Sequence, residues 1–269
     1  MDKEKIEQLG KAGRWDLSSS GQSALGSAIP GTIYNSCAGR TQLPVFKTLM
    51  TNECVYDCRY CENPYCGKRV FSYSPDELAK VFLDLWHLGQ VDGLFLTSAI
   101  PKDPDSTMAE ISEAVELIRK SGFNGYVHLK VLPGASRDTI KRASQSADRL
   151  SINKKAPSKE RLSELSSNKD FDKDILKRQE WIKDFKPRSG QTTQMVIGAG
   201  EESDLEIIRA AENQYSKLNA KRVYYSPFVP QEKTPLQNKE NTPQSRIQKL
   251  YSVDFMMRNY GIPLEEFES

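Results

Sequence analysis

The feature that most constrains the fold is a repeated alternation of apolar, strand-like runs with amphipathic, helix-like runs. The strand candidates are residues 45–51, 93–98, 126–131, 149–153, 194–197 and 222–226. The helical candidates are a segment that starts at 74, and 107–120, 137–146, 159–165, 172–185, 203–218 and 243–260. Because 159–165 and 172–185 fall between the same two strands, the pattern contains six βα units. Such a pattern predicts parallel strands joined by right-handed helical crossovers.

The first helix after the first strand has the best-defined start. Ser74 can cap its N-terminus, Pro75 suits the first turn, and Glu77 completes a capping box. Apolar residues then follow at helical spacing, at Leu78, Val81, Phe82 and Leu85. This spacing predicts that one face of the helix packs against the sheet.

We therefore predict an α/β fold, a partial (βα)6 TIM-type barrel with a short N-terminal extension. The extension covers residues 1–43 and the core domain covers 44–269. A single domain is expected because α/β barrels of about 200 to 250 residues fold as one unit. Functional residues should lie at the carboxyl ends of the strands. Residues 227–241 contain three prolines and predict a long loop after the sixth strand, able to close over a site.

Composition and termini favour a soluble, cytoplasmic protein with no membrane association. The longest apolar stretch, near residues 94–100, is far shorter than the roughly 20 residues that span a bilayer. The N-terminus, MDKEKIEQLGKAG, has no apolar segment of the secretory type. Three of the five cysteines fall within eight residues, a pattern that in a large intracellular chain indicates metal binding more than disulfides.

The net charge is +2, but acidic and basic residues are unevenly distributed along the sequence. Residues 74–118 carry nine acidic residues and two lysines, whereas 141–188 carry fourteen basic and eight acidic residues. The basic segment fits two interpretations: solvated helix faces, or a groove that binds the phosphates of a nucleic acid.

The chemical signal lies in a loop that follows the first strand, with the spacing Cys54-x3-Cys58-x2-Cys61. Three thiolates so spaced can bind three irons of a 4Fe-4S cluster and leave the fourth iron open. Two alternatives use Cys66 as a fourth ligand: a closed, electron-transfer cluster, or a zinc site. Zinc motifs usually separate two close pairs by a longer spacer. The sequence alone defines no role for Cys66 or Cys37.

This spacing, with Tyr60 directly before the third cysteine, resembles the signature of the radical S-adenosylmethionine (SAM) superfamily. The resemblance implies that Cys54, Cys58 and Cys61 ligate a 4Fe-4S cluster and are catalytic, and that Tyr60 packs near the adenine of SAM. It implies that the open iron binds the amino and carboxylate groups of SAM. A reductase or ferredoxin-type donor would supply the electron that cleaves SAM to a 5′-deoxyadenosyl radical.

The ends of the second and fourth strands supply further candidates by the same resemblance. Thr97 and Ser98 lie where family members bind the methionine amino group, although the usual acidic residue is missing. Ser151 and Asn153 share one face of the fourth strand, where family members contact the ribose or the carboxylate. The alternatives are a simple strand terminus and ordinary polar residues that line a barrel.

Two more pairs complete the cofactor-binding candidates. Gly198 and Glu201 follow the fifth strand and resemble the adenine-binding pattern of the superfamily, although Gln194 replaces its first glycine. His128 and Lys130 share one face of the third strand, which would direct both into the barrel. A structural role for either pair stays open, since a strand histidine is commonly a satisfied core residue and glycine turns are common.

Six longer stretches resemble, in order, a narrower family of radical SAM proteins associated with DNA modification or repair. They are LMTNECVYDCRYC, DGLFLTSAI, GYVHLKVLPGAS, ADRLSIN, TTQMVIGAGEESD and KRVYYSPFVP. The resemblance implies a nucleic-acid substrate and a uracil-DNA glycosylase-like partner. Members commonly continue into a helix-hairpin-helix segment, which this sequence does not include. The alternatives are an RNA, peptide or small-molecule substrate, and a non-catalytic iron-sulfur electron carrier or scaffold.

Overall fold

The computed structural model describes residues 2–14, 31–38, 41–63, 65, 67 and 69–267. Its strands are β1 Ile33–Ala38, β2 Thr41–Leu49, β3 Gly93–Thr97, β4 Tyr126–Lys130, β5 Arg149–Ser151, β6 Gln191–Ile197 and β7 Ala220–Pro227. Its helices are α1 Lys3–Ala12, α2 Pro75–His87, α3 Pro104–Lys120, α4 Arg137–Ser146, α5 Lys159–Leu165, α6 Lys177–Phe185, α7 Asp204–Ser216 and α8 Gln244–Tyr260. A π-helical turn, Phe171–Leu176, precedes α6, and a 3-10 turn, Leu264–Phe267, follows α8.

The seven strands that the structure describes form one sheet in sequence order. Strands β2 to β7 are parallel throughout, and helices connect each to the next. This arrangement confirms the predicted α/β fold of six parallel strands in a partial barrel. Because parallel strands end at the same edge of a sheet, the loops that follow β2 to β7 meet on one face of the molecule.

Strand β1 was not predicted, and it lies antiparallel to β2. The sequence did not indicate this pairing, because Pro44 has no backbone N–H and proline is uncommon inside a strand. Pro44 lies in register with Asn35 of β1, and its carbonyl accepts a hydrogen bond from the Asp92 N–H at 2.8 Å. The strand that was expected to begin at residue 45 therefore begins at Thr41.

Helix α2 follows the predicted start. The Ser74 hydroxyl accepts from the Glu77 N–H at 3.2 Å, and the Glu77 carboxylate accepts from the Ser74 N–H at 3.0 Å. Its inner face buries Leu78, Val81, Phe82 and Leu85. Burial of each such side chain contributes about 1.5 to 3 kcal/mol, so this stripe fixes α2 on the outside of the sheet.

The core is divided along the sheet. A larger cluster joins β2–β5 with α2, α3 and α4, and a smaller one joins β6 and β7 with α7 and α8. Helix α1 adds Ile6 and Leu9 to the larger cluster, where both are fully buried. Residues of the predicted N-terminal extension therefore contribute to the barrel core.

No helix among the described residues is both long enough and apolar enough to cross a membrane.

Candidate active site

A cavity opens where the parallel strands end. Its wall takes residues from the loop after β2, from the ends of β3, β4 and β7, and from the connections after β5 and β7. Eight of the twelve predicted site residues line it: Cys54, Cys58, Tyr60, Cys61, Thr97, Ser98, Lys130 and Asn153. The structure thus brings the cysteine loop and most of the predicted SAM-binding residues to one place.

Hydrogen bonds close the base of the cysteine loop directly after β2. Thr51 forms an isolated bridge with Ser72, and their hydroxyl oxygens lie 2.6 Å apart. The Asn52 side chain accepts from the Phe71 N–H at 2.8 Å. Further along, the Val55 N–H donates to the Ile100 carbonyl at 2.8 Å, which holds the loop against the end of β3. The loop is therefore anchored on two sides before it presents its cysteines.

The three thiols have different electrostatic environments in the metal-free protein. Burial raises the pKa of Cys54, and burial together with the nearby Cys58 raises the pKa of Cys61 to about 12. Burial also opposes ionisation of Cys58, but the Lys169 ammonium outweighs it and lowers the pKa of this thiol. Lys169 Nζ donates to Cys58 Sγ at 2.8 Å. The site therefore favours one thiolate before a metal binds.

Cys54, Cys58 and Cys61 are free thiols that line the same cavity. In the part of the chain that the structure describes, no three His, Cys, Asp or Glu side chains converge as ligands of one metal ion. A 4Fe-4S cubane gives each of three thiolates its own iron. Cys66 and the side chain of Cys37 lie outside the described residues.

The cavity wall also contains a hydroxyl group with unused hydrogen-bonding capacity. Ser98 Oγ is buried in the cavity wall and has no hydrogen-bond partner among the described residues. A buried hydroxyl without a partner costs about 1 to 3 kcal/mol, and a bound ligand with polar groups removes this cost. The three thiols and this hydroxyl therefore fit a site for a 4Fe-4S cluster and an adjacent polar cofactor.

His128 and Ser151 lie together but do not line the cavity. His128 Nε2 and Ser151 Oγ are 2.7 Å apart, and both side chains are buried in the barrel. The His128 ring meets the Phe95 ring edge-on, with 4.5 Å between centroids. This packing gives the pair a structural role beneath the cavity, and direct contact with a cofactor stays a prediction.

The turn after β6 contains the predicted pair Gly198 and Glu201, and neither lines the cavity. The Glu201 side chain is 80% exposed and pairs with Lys239 Nζ at 2.6 Å. The next residue, Glu202, is buried, and its carboxylate accepts from the Gly198 N–H. The sequence pattern pointed to Glu201, whereas the structure directs Glu202 into the turn.

Two lysines that were not predicted as site residues, Lys155 and Lys169, also line the cavity. Lys155 has φ of +67°, a left-handed backbone conformation that residues other than glycine rarely adopt. Its Nζ lies 5.7 Å from the centre of the Tyr60 ring. Because Lys155 follows the end of a strand, its sequence position alone could have indicated a site residue. Lys169 lies 111 residues from its partner Cys58, and no local pattern links the two.

The basic segment 141–188 divides into two groups in the structure. Several of its arginines form ion pairs with acids on the outer surface, as Arg142 does with Glu116 and Arg161 with Glu206. Lys155 and Lys169 instead line the cavity, together with Lys130 of β4. No Asp or Glu occurs among the described residues of the cavity wall, so its ionisable side chains other than the cysteines and tyrosines are lysines.

Comparison with solved structures shows the same fold in several proteins. The FeFe-hydrogenase maturase HydG from Carboxydothermus hydrogenoformans has a TM-score of 0.64 at 14% identity, over 80% of this chain and 52% of that one. Methylornithine synthase (PylB) has a TM-score of 0.64 at 18% identity, over 79% and 61%. SuiB from Streptococcus suis, solved bound to S-adenosylmethionine, has a TM-score of 0.58 at 11% identity, over 80% and 44%.

This chain therefore spans about half the length of the structures that it matches. Among proteins of curated function, none matches the sequence significantly. The sequence profile of the Radical SAM superfamily matches residues 48–212, which is more than half of the chain and includes the cysteine loop, β3 to β6 and most of α7. The chain belongs to the radical SAM superfamily, whose enzymes use a 4Fe-4S cluster and S-adenosylmethionine.

Proposed function

We propose that this protein is a radical SAM enzyme that acts on a nucleic acid, in DNA modification or repair. The observation that supports the proposal most is the cavity wall, which combines three cysteines with three lysines and, among its described residues, no carboxylate. When bound, the cluster and SAM supply a 5′-deoxyadenosyl radical that abstracts a hydrogen atom from the substrate. The chain's own residues hold these groups and the substrate in position.

The cysteines and polar residues have separate tasks in this proposal. Cys54, Cys58 and Cys61 hold the cluster, and the Ser98 hydroxyl supplies a hydrogen bond to SAM. The Tyr60 ring provides an apolar surface for the adenine. Several apolar residues also line the wall: Ala99, Ile100, Val131, Leu132, Val196 and Phe228. They limit access of water, which protects a reactive radical.

The lysines favour an anionic substrate. Lys169 contacts a cysteine of the cluster loop, and Lys130 and Lys155 also line the cavity wall. Phosphate groups attract such ammonium groups, and binding weakens as the salt concentration rises because the release of counterions from the nucleic acid becomes less favourable. A nucleotide that is flipped out of the base stack could enter such a cavity as the substrate. We include a uracil-DNA glycosylase-like protein and a reductase or ferredoxin-type electron donor as proposed partners.

Label transfer from defined nucleic acids tests the substrate class. The reconstituted enzyme would be incubated anaerobically with SAM, dithionite and single-stranded DNA, double-stranded DNA or RNA, each carrying deuterated nucleotides. We expect deuterium in 5′-deoxyadenosine with at least one DNA substrate. If 5′-deoxyadenosine forms without deuterium from any nucleic acid, the nucleic-acid proposal is wrong and a peptide or small-molecule substrate takes its place.

Binding measured at several salt concentrations provides an independent check. We expect affinity for DNA to fall with salt, and the slope of log Kd against log salt to decrease in the variant Lys130→Met/Lys155→Met. The matched control is Lys173→Met, which removes an exposed lysine outside the cavity. Equal slopes in the wild type and both variants would contradict a phosphate-binding role for the cavity lysines.

A further inference from the structure

We propose that Lys169 raises the reduction potential of the cluster held by the cysteine loop, and that Asp57 keeps Lys169 in place. The inference rests on the proposed function, since it requires the cluster at Cys54, Cys58 and Cys61. It assigns roles to two residues outside the cysteine signature.

The first observation is the contact between Lys169 and the middle cysteine. Lys169 Nζ lies 2.8 Å from Cys58 Sγ and 5.3 Å from the centre of the Tyr56 ring. Cys58 is buried, with 6% of its surface exposed. The ammonium group therefore meets a cluster ligand in an environment from which water is largely excluded, where charges interact strongly.

The second observation is the network that fixes the segment carrying Lys169. The Asp57 carboxylate accepts hydrogen bonds from the Ser166 hydroxyl at 2.6 Å, the Ser167 N–H at 2.9 Å and the Ser167 hydroxyl at 2.5 Å. The Asn168 N–H also donates to it, at 3.3 Å. Asp57 is thus bound to the three residues that directly precede Lys169.

A second attachment lies on the other side of Cys58. The Arg59 N–H donates to the Leu165 carbonyl at 2.9 Å, and the Arg59 guanidinium donates to the Glu164 carbonyl at 3.1 Å. Residues 164–168 are therefore joined to the cysteine loop through both chain neighbours of Cys58. This double attachment defines where Lys169 can place its ammonium group.

The physical consequence concerns one electron. When an external one-electron reductant reduces the cluster, the cluster and its thiolates gain one negative charge. A nearby ammonium stabilises that added charge more than the oxidised state, and a hydrogen bond to the ligand sulfur has the same direction of effect. Lys169 should therefore make the cluster easier to reduce.

The test compares Lys169→Met, which removes the charge at similar length, with Lys169→Arg, which retains it. Lys173→Met is the control, because Lys173 is an exposed lysine outside the cavity wall. Each reconstituted protein would be titrated with dithionite under potential control while the reduced cluster is followed by EPR, and its iron would be counted.

At the wild-type midpoint potential, we expect about a tenfold lower ratio of reduced to oxidised cluster in Lys169→Met, which corresponds to about 59 mV for a one-electron couple. Lys169→Arg and Lys173→Met should stay close to the wild type. An unchanged midpoint in Lys169→Met, or an equal decrease in Lys169→Arg, would overturn the inference.

A neutral variant tests the role of Asp57 without changing charge near the cluster. Ser166→Ala/Ser167→Ala removes two hydroxyl donors to Asp57. We expect this double variant to have a midpoint potential between those of the wild type and Lys169→Met. In a Lys169→Met background the same two substitutions should not change the midpoint potential, because the effects of coupled residues are not additive. An equal effect in both backgrounds would show that Asp57 does not act through Lys169.

The outcomes separate this inference from the proposed function. A wild-type protein that binds no 4Fe-4S cluster after reconstitution contradicts the proposed function. A wild-type protein that binds the cluster, with a midpoint insensitive to Lys169→Met, contradicts only the role of Lys169.

Discussion

The carboxylate of Glu202 accepts a hydrogen bond from the backbone N–H of Gly198 at 2.5 Å. This contact closes the turn that follows β6, next to the edge of the sheet where the cavity lies. Its chain neighbour Glu201 points outward to Lys239 instead. The two adjacent glutamates therefore give a matched pair for testing how the turn supports cofactor binding.

Replacing Glu202 should weaken SAM binding more than replacing Glu201. In Glu202→Ala the turn loses a charge-assisted hydrogen bond, a type worth about 1.5 to 3 kcal/mol, so we expect at least about a tenfold increase in the Kd for SAM. Glu201→Ala should change the Kd less than about twofold, since its ion pair is exposed. Calorimetric titration of the reconstituted protein measures both. The reverse order would support the Glu201 assignment made from the sequence.

Gly198 should be intolerant of a side chain. It has φ of +84°, and an added Cβ would lie 2.0 Å from Thr242 Oγ1. Gly198→Ala should therefore lower the free energy of unfolding by about 3 kcal/mol, from backbone strain plus the clash. Gly122→Ala is the control, because Gly122 has φ of +93° but open space around it; we expect about 1 kcal/mol. Chemical denaturation curves that show equal losses would contradict the clash.

Iron content should depend on the three cysteines of the loop and not on Cys66. Serine at Cys54, Cys58 or Cys61 removes a thiolate ligand, so each variant should retain well under half of the wild-type iron after reconstitution. Cys66→Ser should retain about four irons per chain and the wild-type EPR signal. A loss of iron in Cys66→Ser as large as in Cys58→Ser would favour the closed cluster with four cysteine ligands.

Reactivity of Cys58 in the metal-free protein should depend on Lys169. The Lys169 ammonium lowers the pKa of this thiol against the opposing effect of burial, so its removal raises the pKa. In Lys169→Met, the pH at which iodoacetamide labels Cys58 at half its maximal rate should therefore move upward, with slower labelling at neutral pH.

Mass spectrometry locates the label, and Lys173→Met serves as the control because Lys173 is exposed and lies outside the cavity wall. An unchanged labelling profile of Cys58 in Lys169→Met would show that the ammonium does not stabilise this thiolate.

The sequence predicted the parts of the fold that depend on local pattern. The capping box of Ser74 and Glu77 and the apolar stripe of α2 are encoded within a few residues, and the structure has both. Strand β1 was missed because its pairing with β2 depends on tertiary contact, and Pro44 argued against it. The end of β5 came at Ser151, two residues before the predicted end.

The same distinction applies to the site. The cysteine loop is a local motif, so Cys54, Cys58 and Cys61 were identified directly. Lys169 was not, since only the folded chain brings it to Cys58 across 111 positions. Glu201 and Glu202 differ by one position, and the turn at Gly198 decides which of them points inward. Contacts of this kind depend on the folded backbone, so the spacing of residues in the sequence does not predict them.

Formation of 5′-deoxyadenosine is the measurement that tests the central claim most directly. The reconstituted wild-type protein, with SAM and dithionite under anaerobic conditions, should produce 5′-deoxyadenosine and methionine. The variant Cys54→Ser/Cys58→Ser/Cys61→Ser should produce neither above background. If wild-type protein with a full 4Fe-4S cluster, reduced as judged by EPR, forms no 5′-deoxyadenosine with or without nucleic acid, this chain is not a radical SAM enzyme in function.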